Sequence, residues 1–289
     1  MKKIKAIMIF CLSALLLAAC SVTTSGDKNM STLEKAKKEG KIVVGFAGEK
    51  PYAYEDENGN LTGEAVEVAR TIFKKMGIEE MEGKLTKFSS LIPGLKAGKF
   101  DVITAGMYIT PKRCEQVAFG EPDYTIGEAL AVQKGNPKNI HNYKDIAKNP
   151  DVKVSVMNGA IEIEYLKAAG VKESQMEFVT DIPSNITALE SKRVDAITMT
   201  GPTLKSALET ANAKNIEIVE DFTQPVVDGE SVRGYGAAAF KPGDDEILQA
   251  YNKELKKLKE SGELLDIISE FGFTEKEIPG DVTAKELCK

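Results

Sequence analysis

The chain is 289 residues long with 42% hydrophobic and 28% charged residues, which is typical of a folded, water-soluble protein with room for two lobes. Its formal net charge of −6 argues against a nucleic-acid partner, because phosphates require a basic face. The single histidine and four cysteines form no pattern for a transition metal or for a Ser/His or Cys/His catalytic pair. We therefore expect no metal, no cofactor and no enzymatic activity.

The first 19 residues are typical of an export signal. Lys2, Lys3 and Lys5 precede an apolar run, Ile7–Leu17, that is too short for a transmembrane helix. The run ends in Leu17-Ala18-Ala19-Cys20, which resembles the signal of bacterial lipoproteins. We expect lipid on Cys20, a flexible tether over 20–30, and an extracytoplasmic protein anchored by that lipid to the cell membrane. The alternative is an ordinary signal peptide with an incidental cysteine.

Helical and extended patterns alternate from residue 31 onward. Ser31 is expected to cap a helix over 32–39, and the β-branched run at 41–47 predicts a buried strand. A hairpin turn is expected at 56–60. The alternation predicts an α/β fold with a largely parallel sheet. The other expected elements are a helix over 64–76, an extended segment at 85–88, a helix over 91–97 and a strand over 100–105.

A weak internal repeat favours two lobes of similar build, although chance can also produce it. Six residues of a helix and the strand after it recur 94 positions later. Two apolar segments, 129–135 and 236–243, are expected to be paired crossings between the lobes. The first lobe is then 31–131 with 237–289, the second is 132–236, and the cleft between them is the ligand site. The recurring residues are Ser90, Leu95, Lys99, Asp101, Ile103 and Thr104, matched by Ser184, Leu189, Arg193, Asp195, Ile197 and Thr198.

Two helix starts are candidate anion sites. Thr110 is expected to cap a short helix with Pro111 at its first position, which places Arg113 where a cation is unfavourable. A ligand carboxylate held by the guanidinium and the free amides explains this arginine, and an exposed arginine is the alternative. The segment Asn158-Gly159-Ala160 also presents amides at a helix start, although glycine there more often serves only the turn.

Four further candidates follow strands of the first lobe, at the edge where open α/β sheets bind ligands. Glu49 and Tyr52 follow the first strand, and Phe88 and Tyr108 follow later ones. Three aromatic faces around one point would bind a delocalised or alkylated cation, with roughly 0.5 to 2 kcal/mol per contact. The alternatives are a solvated acid and aromatic side chains that pack in the core.

At these motifs the chain resembles the extracytoplasmic solute-binding proteins of ABC importers, in the branch that binds polar amino acids. The resemblance implies a two-lobed periplasmic-binding-protein fold of type II, with the cleft between lobes joined by two crossing strands. It also implies a monomer that hands a small zwitterionic solute to an ABC permease, and it assigns Arg113 to the ligand carboxylate. The matching residues are Pro51, Tyr52, Asp56, Gly59, Gly63, Leu91, Ile92, Leu95, Asp101, Thr110, Arg113, Phe119, Pro122, Tyr124 and Val194-Asp195-Ala196.

One departure from that family concerns the ligand's positive charge. The family usually has an aspartate for an α-ammonium where this chain has Thr200. A primary ammonium would lose its main acceptor, whereas a spread, weakly hydrated cation loses less.

The sequence looks most similar to the ectoine- and hydroxyectoine-binding proteins, which capture compatible solutes for osmoprotection. This resemblance implies that Arg113 holds the carboxylate, that Glu49 accepts from the ring N–H groups, and that Tyr52, Phe88 and Tyr108 surround the ring. Asn158, Ala160 and Thr200 would close from the second lobe. The residues that carry it are Glu49, Leu91–Gly98, Ala105–Pro111, Arg113-Cys114 and Gly135–Asn139.

Two other functions stay open at this stage. The same receptor could bind a polar amino acid or a betaine. An enzyme on this scaffold, such as a dehydratase, is a weaker alternative in which Glu49 or Glu162 would be a general base.

Cys114 and Cys288 are the two thiols outside the membrane once Cys20 is lipidated. An oxidising compartment favours a disulfide between them, which would pin the C-terminal tail beside the helix that bears Arg113. Two unpaired cysteines are the alternative.

Overall fold

Two five-stranded sheets organise the chain, and each defines one lobe. The computed structural model describes residues 30–227 and 230–289. The expected export signal, Cys20 and most of the expected tether therefore lie outside the described residues. The first sheet has the order β4-β1-β5-β16-β6 and the second the order β10-β9-β11-β8-β12. The strands are β1 Lys41–Phe46, β2 Tyr54–Glu55, β3 Leu61–Thr62, β4 Glu80–Leu85, β5 Val102–Ile103, β6 Ala118–Phe119, β7 Tyr124–Ile126, β8 Glu128–Gln133, β9 Val154–Met157, β10 Met176–Val179, β11 Ala196–Thr200, β12 Ile216–Ile218, β13 Val226–Val227, β14 Glu230–Ser231, β15 Gly234–Gly236 and β16 Ala239–Phe240.

Helices pack against both sheets, as expected for strands that alternate with amphipathic segments. The predicted helices over 32–39, 64–76 and 91–97 are present within one residue of their expected ends. Their apolar positions are buried, for example Val68, Ile72 and Phe73. The helices are α1 Thr32–Glu39, α2 Glu64–Lys75, α3 Leu91–Lys96, α4 Pro111–Cys114, α5 Tyr143–Lys148, α6 Glu162–Ala168, α7 Ile182–Glu190, α8 Gly201–Ala211, α9 Asp245–Ser261, α10 Glu263–Ser269 and α11 Ala284–Leu287. Short 3₁₀ helices occur at Phe88–Ser90, Glu173–Gln175 and Glu275–Glu277.

The two sheets have the same build. In each, a central strand pairs in parallel with two neighbours, β1 with β4 and β5, and β9 with β10 and β11. The remaining strands, β16 and β6 in one sheet and β8 and β12 in the other, add antiparallel pairs. The sheets are therefore mixed rather than largely parallel, because the chain enters and leaves each lobe through an antiparallel strand.

The internal repeat has a physical basis in two aspartates. Asp101 Oδ2 accepts a hydrogen bond from the Val43 amide at 3.1 Å, and Asp195 Oδ2 accepts one from the Lys153 amide at 2.9 Å. Each aspartate also donates its own amide to the carbonyl of the same partner residue. Both therefore fasten the start of a strand to the start of its parallel neighbour, at equivalent places in the two sheets.

The connections between the sheets lie elsewhere than expected. The crossings are β7 and β15, which pair antiparallel as Tyr124↔Gly236 and Ile126↔Gly234. The segment 129–135, expected to cross, instead begins within β8 of the second sheet, and the second expected crossing contains β16 of the first sheet. An apolar run fits a buried strand as well as a crossing, so composition could not separate the two.

Two smaller differences concern the first lobe. The extended segment expected at 85–88 is shifted, because β4 is Glu80–Leu85 and Phe88 begins a 3₁₀ turn. β4 is a charged edge strand whose residues are half-buried or exposed, so it carried no apolar signal. The strand expected over 100–105 is shorter, Val102–Ile103.

A disulfide joins Cys114 to Cys288 across a sequence separation of 174 residues. Cys114 is the last residue of α4, and Cys288 follows α11 directly. Both cysteines pack against the same core cluster of the first lobe, with Val117 and Ala284. The C-terminal tail is therefore attached to the helix that carries Arg113.

Candidate functional site

A cavity lies between the two sheets and is lined from both lobes. The lining residues of the first lobe are Glu49, Phe88, Gly106, Tyr108 and Arg113. Those of the second lobe are Met157, Ala160, Ile161, Glu162, Ile182, Thr198, Met199 and Thr200. Six of the eight residues expected at the site thus line one cavity, together with Glu162 from the enzyme alternative. Tyr52 and Asn158 lie outside its lining.

Arg113 is placed by the expected helix start. The Thr110 side chain accepts a hydrogen bond from the Arg113 amide, and Pro111 is the first residue of α4. The guanidinium donates from Nη1 to the Tyr108 carbonyl at 2.8 Å and from Nη2 to the Gly159 carbonyl at 2.9 Å. Its carbon lies 5.5 Å from the centre of the Phe88 ring. Burial lowers the pKa of Arg113, and the charge of Glu162 opposes this shift.

Glu49 follows β1 and is held by a tight turn. Its carbonyl accepts hydrogen bonds from the amides of Tyr52 and Ala53. The side chain is 8% exposed, and Oε1 accepts from Thr203 Oγ1 at 3.2 Å. Burial and then the charge of Glu162 raise the pKa of Glu49 to about 8, against the hydrogen bond from Thr203 and the charge of Arg113. A carboxyl group in this state is poised to become a strong acceptor once a cation enters.

Two of the three expected rings face the cavity, and the third lies behind it. Phe88 and Tyr108 line the cavity. Tyr52 is only 1% exposed and stacks on Tyr124 with ring centres 5.1 Å apart. The turn at Glu49 directs Tyr52 into this aromatic cluster, where Phe273 also packs against it edge-on.

A chain of hydrogen bonds between hydroxyl groups, here called the hydroxyl string, joins the two lobes beside the cavity. Tyr52 Oη donates to Thr200 Oγ1 at 3.0 Å, and Thr200 Oγ1 donates to Thr203 Oγ1 at 3.0 Å. Thr203 then donates to Glu49, which returns the string to the first lobe. Thr203 was not predicted, although its position three residues after Thr200, at the start of α8, is the available signal.

The loop at residues 158–160 approaches the first lobe closely. Gly159 has φ of +84°, and a Cβ there would lie 3.1 Å from the Ser89 Cα. Its carbonyl accepts from Arg113. Ala160 lines the cavity, whereas the Asn158 amide donates to the Val179 carbonyl within the second lobe. Gly159, whose expected role was only in the turn, thus also accepts the hydrogen bond by which Arg113 contacts the second lobe.

Two buried acids of the second lobe complete the surroundings. Glu162, the first residue of α6, lines the cavity, and Glu128, the first residue of β8, lies behind it; each is 4% exposed. Neither carboxylate oxygen of Glu128 has a hydrogen bond of normal geometry, and neither does Tyr108 Oη. Sequence analysis missed Glu128 because nothing local marks its burial.

Two further features were sought in the described part of the chain: a metal-ligand cluster and a membrane-spanning helix. Across residues 30–227 and 230–289, no three His, Cys, Asp or Glu side chains are grouped so as to hold a metal ion. Over the same residues, none of the helices combines the length and apolar character needed to cross a membrane.

Two mixed α/β lobes, two crossing strands and a polar cavity between them define a solute receptor of the type II periplasmic-binding-protein fold. Residues 42–274 match the bacterial extracellular solute-binding proteins, family 3, and the chain belongs to that family.

Several relatives are known by name or structure. A probable amino-acid ABC transporter periplasmic-binding protein of Sinorhizobium fredii is 34% identical, over 89% of this chain and 86% of its own. The arginine-binding extracellular protein ArtP of Bacillus subtilis is 30% identical, over 86% and 93%. The crystal structure of EhuB in complex with hydroxyectoine matches with a TM-score of 0.81 and 35% identity, over 89% of this chain and 98% of that one. These relatives are binding proteins rather than enzymes, and this chain is the extracytoplasmic solute-binding protein of an ABC importer.

Proposed function

We propose that the protein captures ectoine or hydroxyectoine for import as a compatible solute. The observation that carries this proposal is the meeting of Arg113, Glu49 and the rings of Phe88 and Tyr108 at one cavity. Ectoine has a carboxylate and a cyclic amidinium, so it offers one group for the guanidinium and one for the acid and the rings. The similarity to EhuB with bound hydroxyectoine supports the same ligand class.

Each candidate residue has a proposed part. Arg113 pairs with the carboxylate, Glu49 accepts from a ring N–H, and Phe88 and Tyr108 contact the ring. Tyr52 acts from behind, by holding Thr200 through its hydroxyl. Ala160 and Thr200 close over the ligand from the second lobe, and Asn158 fixes the loop that carries Ala160.

Thr200 argues against a primary α-ammonium. Its hydroxyl already donates to Thr203 and accepts from Tyr52, so it offers no charge to an ammonium group. A delocalised cation over aromatic faces depends less on such a charge.

A polar amino acid is the second candidate, because one relative is a probable amino-acid-binding protein and another is an arginine-binding protein. Arginine shares with ectoine a carboxylate and a delocalised cation. The acidic lining accommodates either one.

Calorimetry with purified protein separates these ligands. Ectoine, hydroxyectoine, L-arginine, L-glutamine and glycine betaine are titrated in turn, and the best is used to displace the others. We expect ectoine or hydroxyectoine to bind most tightly. An amino acid that displaces both would contradict the proposal, and a ligand recovered chemically changed would indicate an enzyme.

The boundaries and the anchor complete the proposal. The lobes meet at the crossing strands β7 and β15 rather than at residues 131 and 237, because the whole of β8 lies in the second sheet. The protein works as a monomer with a permease. Lipid on Cys20 tethers it to the membrane through residues 20–30. Fractionation of cells that express the Cys20→Ala variant tests the anchor, because the variant should leave the membrane fraction while the parent protein stays.

A further inference from the structure

The cleft holds more negative than positive side chains. Of the residues that line it, Arg113 carries a positive charge, and Glu49 and Glu162 carry carboxyl groups. Glu128 adds a third carboxyl group directly behind them, and all three are more than nine-tenths buried. Burying carboxylates without partners is costly, so the cleft requires compensating positive charge from protons or from a ligand.

Glu128 is held rigidly in this position. Its amide donates to Gln224 Oε1, and Gln224 Nε2 donates back to its carbonyl, both at 2.8 Å. Its backbone also lies opposite Thr200 in the pairing of β8 with β11. The backbone of Glu128 is therefore fixed, and Glu162 and Tyr108 are among the groups that act on its buried carboxyl group.

Glu128 and Glu162 are two buried carboxyl groups whose negative charges would repel each other. Burial and then the charge of Glu162 raise the pKa of Glu128. Burial also raises the pKa of Glu162, although the neighbouring carboxyl group of Glu128 and the charge of Arg113 lower it. When the pair carries one proton, these directions favour Glu128 over Glu162 as its site. The other titratable or charged groups that influence the pair are Glu49, Tyr108, Arg113, Tyr143 and Tyr165.

We propose that Glu128 and Glu162 form a second recognition point for the ligand's cation, on the second lobe, opposite the one that Glu49 forms on the first. It receives one N–H of a delocalised cation while Glu49 receives the other. As that N–H arrives, the O–H bond of protonated Glu128 breaks and its proton passes to the solvent, and no other covalent bond forms or breaks. The inference rests on the proposed function, because it names the chemical class of the same ligand.

This arrangement selects among cations by their N–H geometry. An amidinium or guanidinium has N–H donors that point in different directions, so it can reach carboxyl groups on both lobes. A quaternary ammonium has no N–H to donate. The ligand class is therefore a carboxylate joined to a delocalised cation with at least two N–H groups.

Proton release during binding tests the proposal. Ectoine is titrated calorimetrically into the purified protein at about pH 7 in phosphate and in Tris, whose different heats of ionisation report the protons released. We expect Glu128→Gln to release about one proton fewer per ectoine than the parent protein. Glu162→Gln should bind ectoine at least about tenfold more weakly, because its amide presents a donor to the cation's N–H.

Glu173→Gln is the matched control, since Glu173 is exposed on the same lobe and its loss changes the charge equally. It should match the parent in affinity and in proton release. If Glu128→Gln and Glu162→Gln both keep the parent's proton release and bind within about twofold of it, the proposal is wrong.

L-Arginine and glycine betaine separate this inference from the proposed ligand. If arginine binds with the expected proton release and ectoine does not bind, the ectoine assignment fails and the inference stands. If ectoine binds with no change in either variant, the ectoine assignment stands and the inference fails. Betaine that binds as tightly as ectoine also overturns the inference, and failure of both ectoine and arginine to bind overturns both.

Discussion

Arg113 bonds to two backbone carbonyls that belong to different lobes. One bond, to Tyr108, fixes the guanidinium within the first lobe, and the other, to Gly159, ties it to the second. These bonds use one donor on each terminal nitrogen and leave further N–H donors on a side chain that lines the cavity. A ligand carboxylate would thus meet a donor fork that is already positioned, which lowers the entropic cost of binding.

Removing Arg113 is expected to weaken binding severely. In Arg113→Ala, the ligand carboxylate would be buried without its charged donor, at a cost of about 3 kcal/mol, or roughly a hundredfold in Kd. Calorimetry with ectoine measures the loss. Arg193→Ala is the control, because Arg193 pairs at 3.0 Å with Glu177 on the surface of the second lobe. Arg113→Ala protein that binds like the parent would show that the carboxylate lies elsewhere.

At the scale of elements, the crossing strand β15 determines where the rings of the cleft can lie. A Cβ at Gly234 would come within 1.7 Å of the Tyr108 ring, and one at Gly236 within 2.0 Å of the Tyr124 ring. The Ile109 amide also donates to the Tyr235 carbonyl at 2.8 Å, so the loop before α4 is bonded to the same strand. The strand that joins the lobes is therefore also the support for Tyr108.

Substitution at this strand should act through Tyr108. We expect Gly234→Ala to lower the melting temperature and to weaken ectoine binding, because the new methyl group displaces the ring. In a Tyr108→Ala background, the same substitution should lower the melting temperature and the ectoine affinity much less, because the ring that the methyl group would meet is absent. Thermal melts and calorimetry of the four proteins give this comparison. Equal costs in both backgrounds would show that the ring is not what the methyl group meets.

The disulfide between Cys114 and Cys288 should stabilise the folded protein against unfolding. The loop that it closes spans 174 residues, for which the chain-entropy model gives up to about 5 kcal/mol. We expect the Cys114→Ser, Cys288→Ser double variant to unfold at lower urea concentration than the parent. Thiol titration of a Cys20→Ser protein, denatured without reductant, should detect neither Cys114 nor Cys288 as free. Two free thiols would contradict the disulfide.

Local signals predicted some of these elements and not others. The Thr110-Pro111 start of α4 was predictable, because a cap and a first-turn proline act within four residues. The paired aspartates of the repeat were visible as a recurrence in the sequence, although their bonding partners lie 58 and 42 positions away. The position of Glu128 was not, because its burial depends on β8 pairing with β11 at Thr200, a contact 72 positions apart in the sequence. The inward turn of Tyr52 likewise depends on Tyr124 and Phe273.

For the whole molecule, the same carboxyl groups link closure to charge. Both the hydroxyl string from Tyr52 to Glu49 and the bond from Arg113 to Gly159 exist only with the lobes together. With the lobes together, Glu49, Glu128 and Glu162 are buried as well. A ligand that supplies positive charge therefore favours the closed form over the open one, and this differential affinity is what shifts the population.

Protonation of these carboxyl groups should favour the closed form, as the positive charge of a ligand does. The pKa of Glu49 is raised to about 8, and those of Glu128 and Glu162 are raised as well, so the closed form binds more protons than an open, hydrated one. Linkage then requires that lowering the pH favours closure, and that this advantage is lost as the pH rises through about 8. Small-angle scattering of ligand-free protein should thus give a smaller radius of gyration at about pH 5 than at about pH 9. A triple variant should lose most of this pH dependence; its substitutions are Glu49→Gln, Glu128→Gln and Glu162→Gln. A parent protein whose radius of gyration is constant across that pH range would contradict the link between charge and closure.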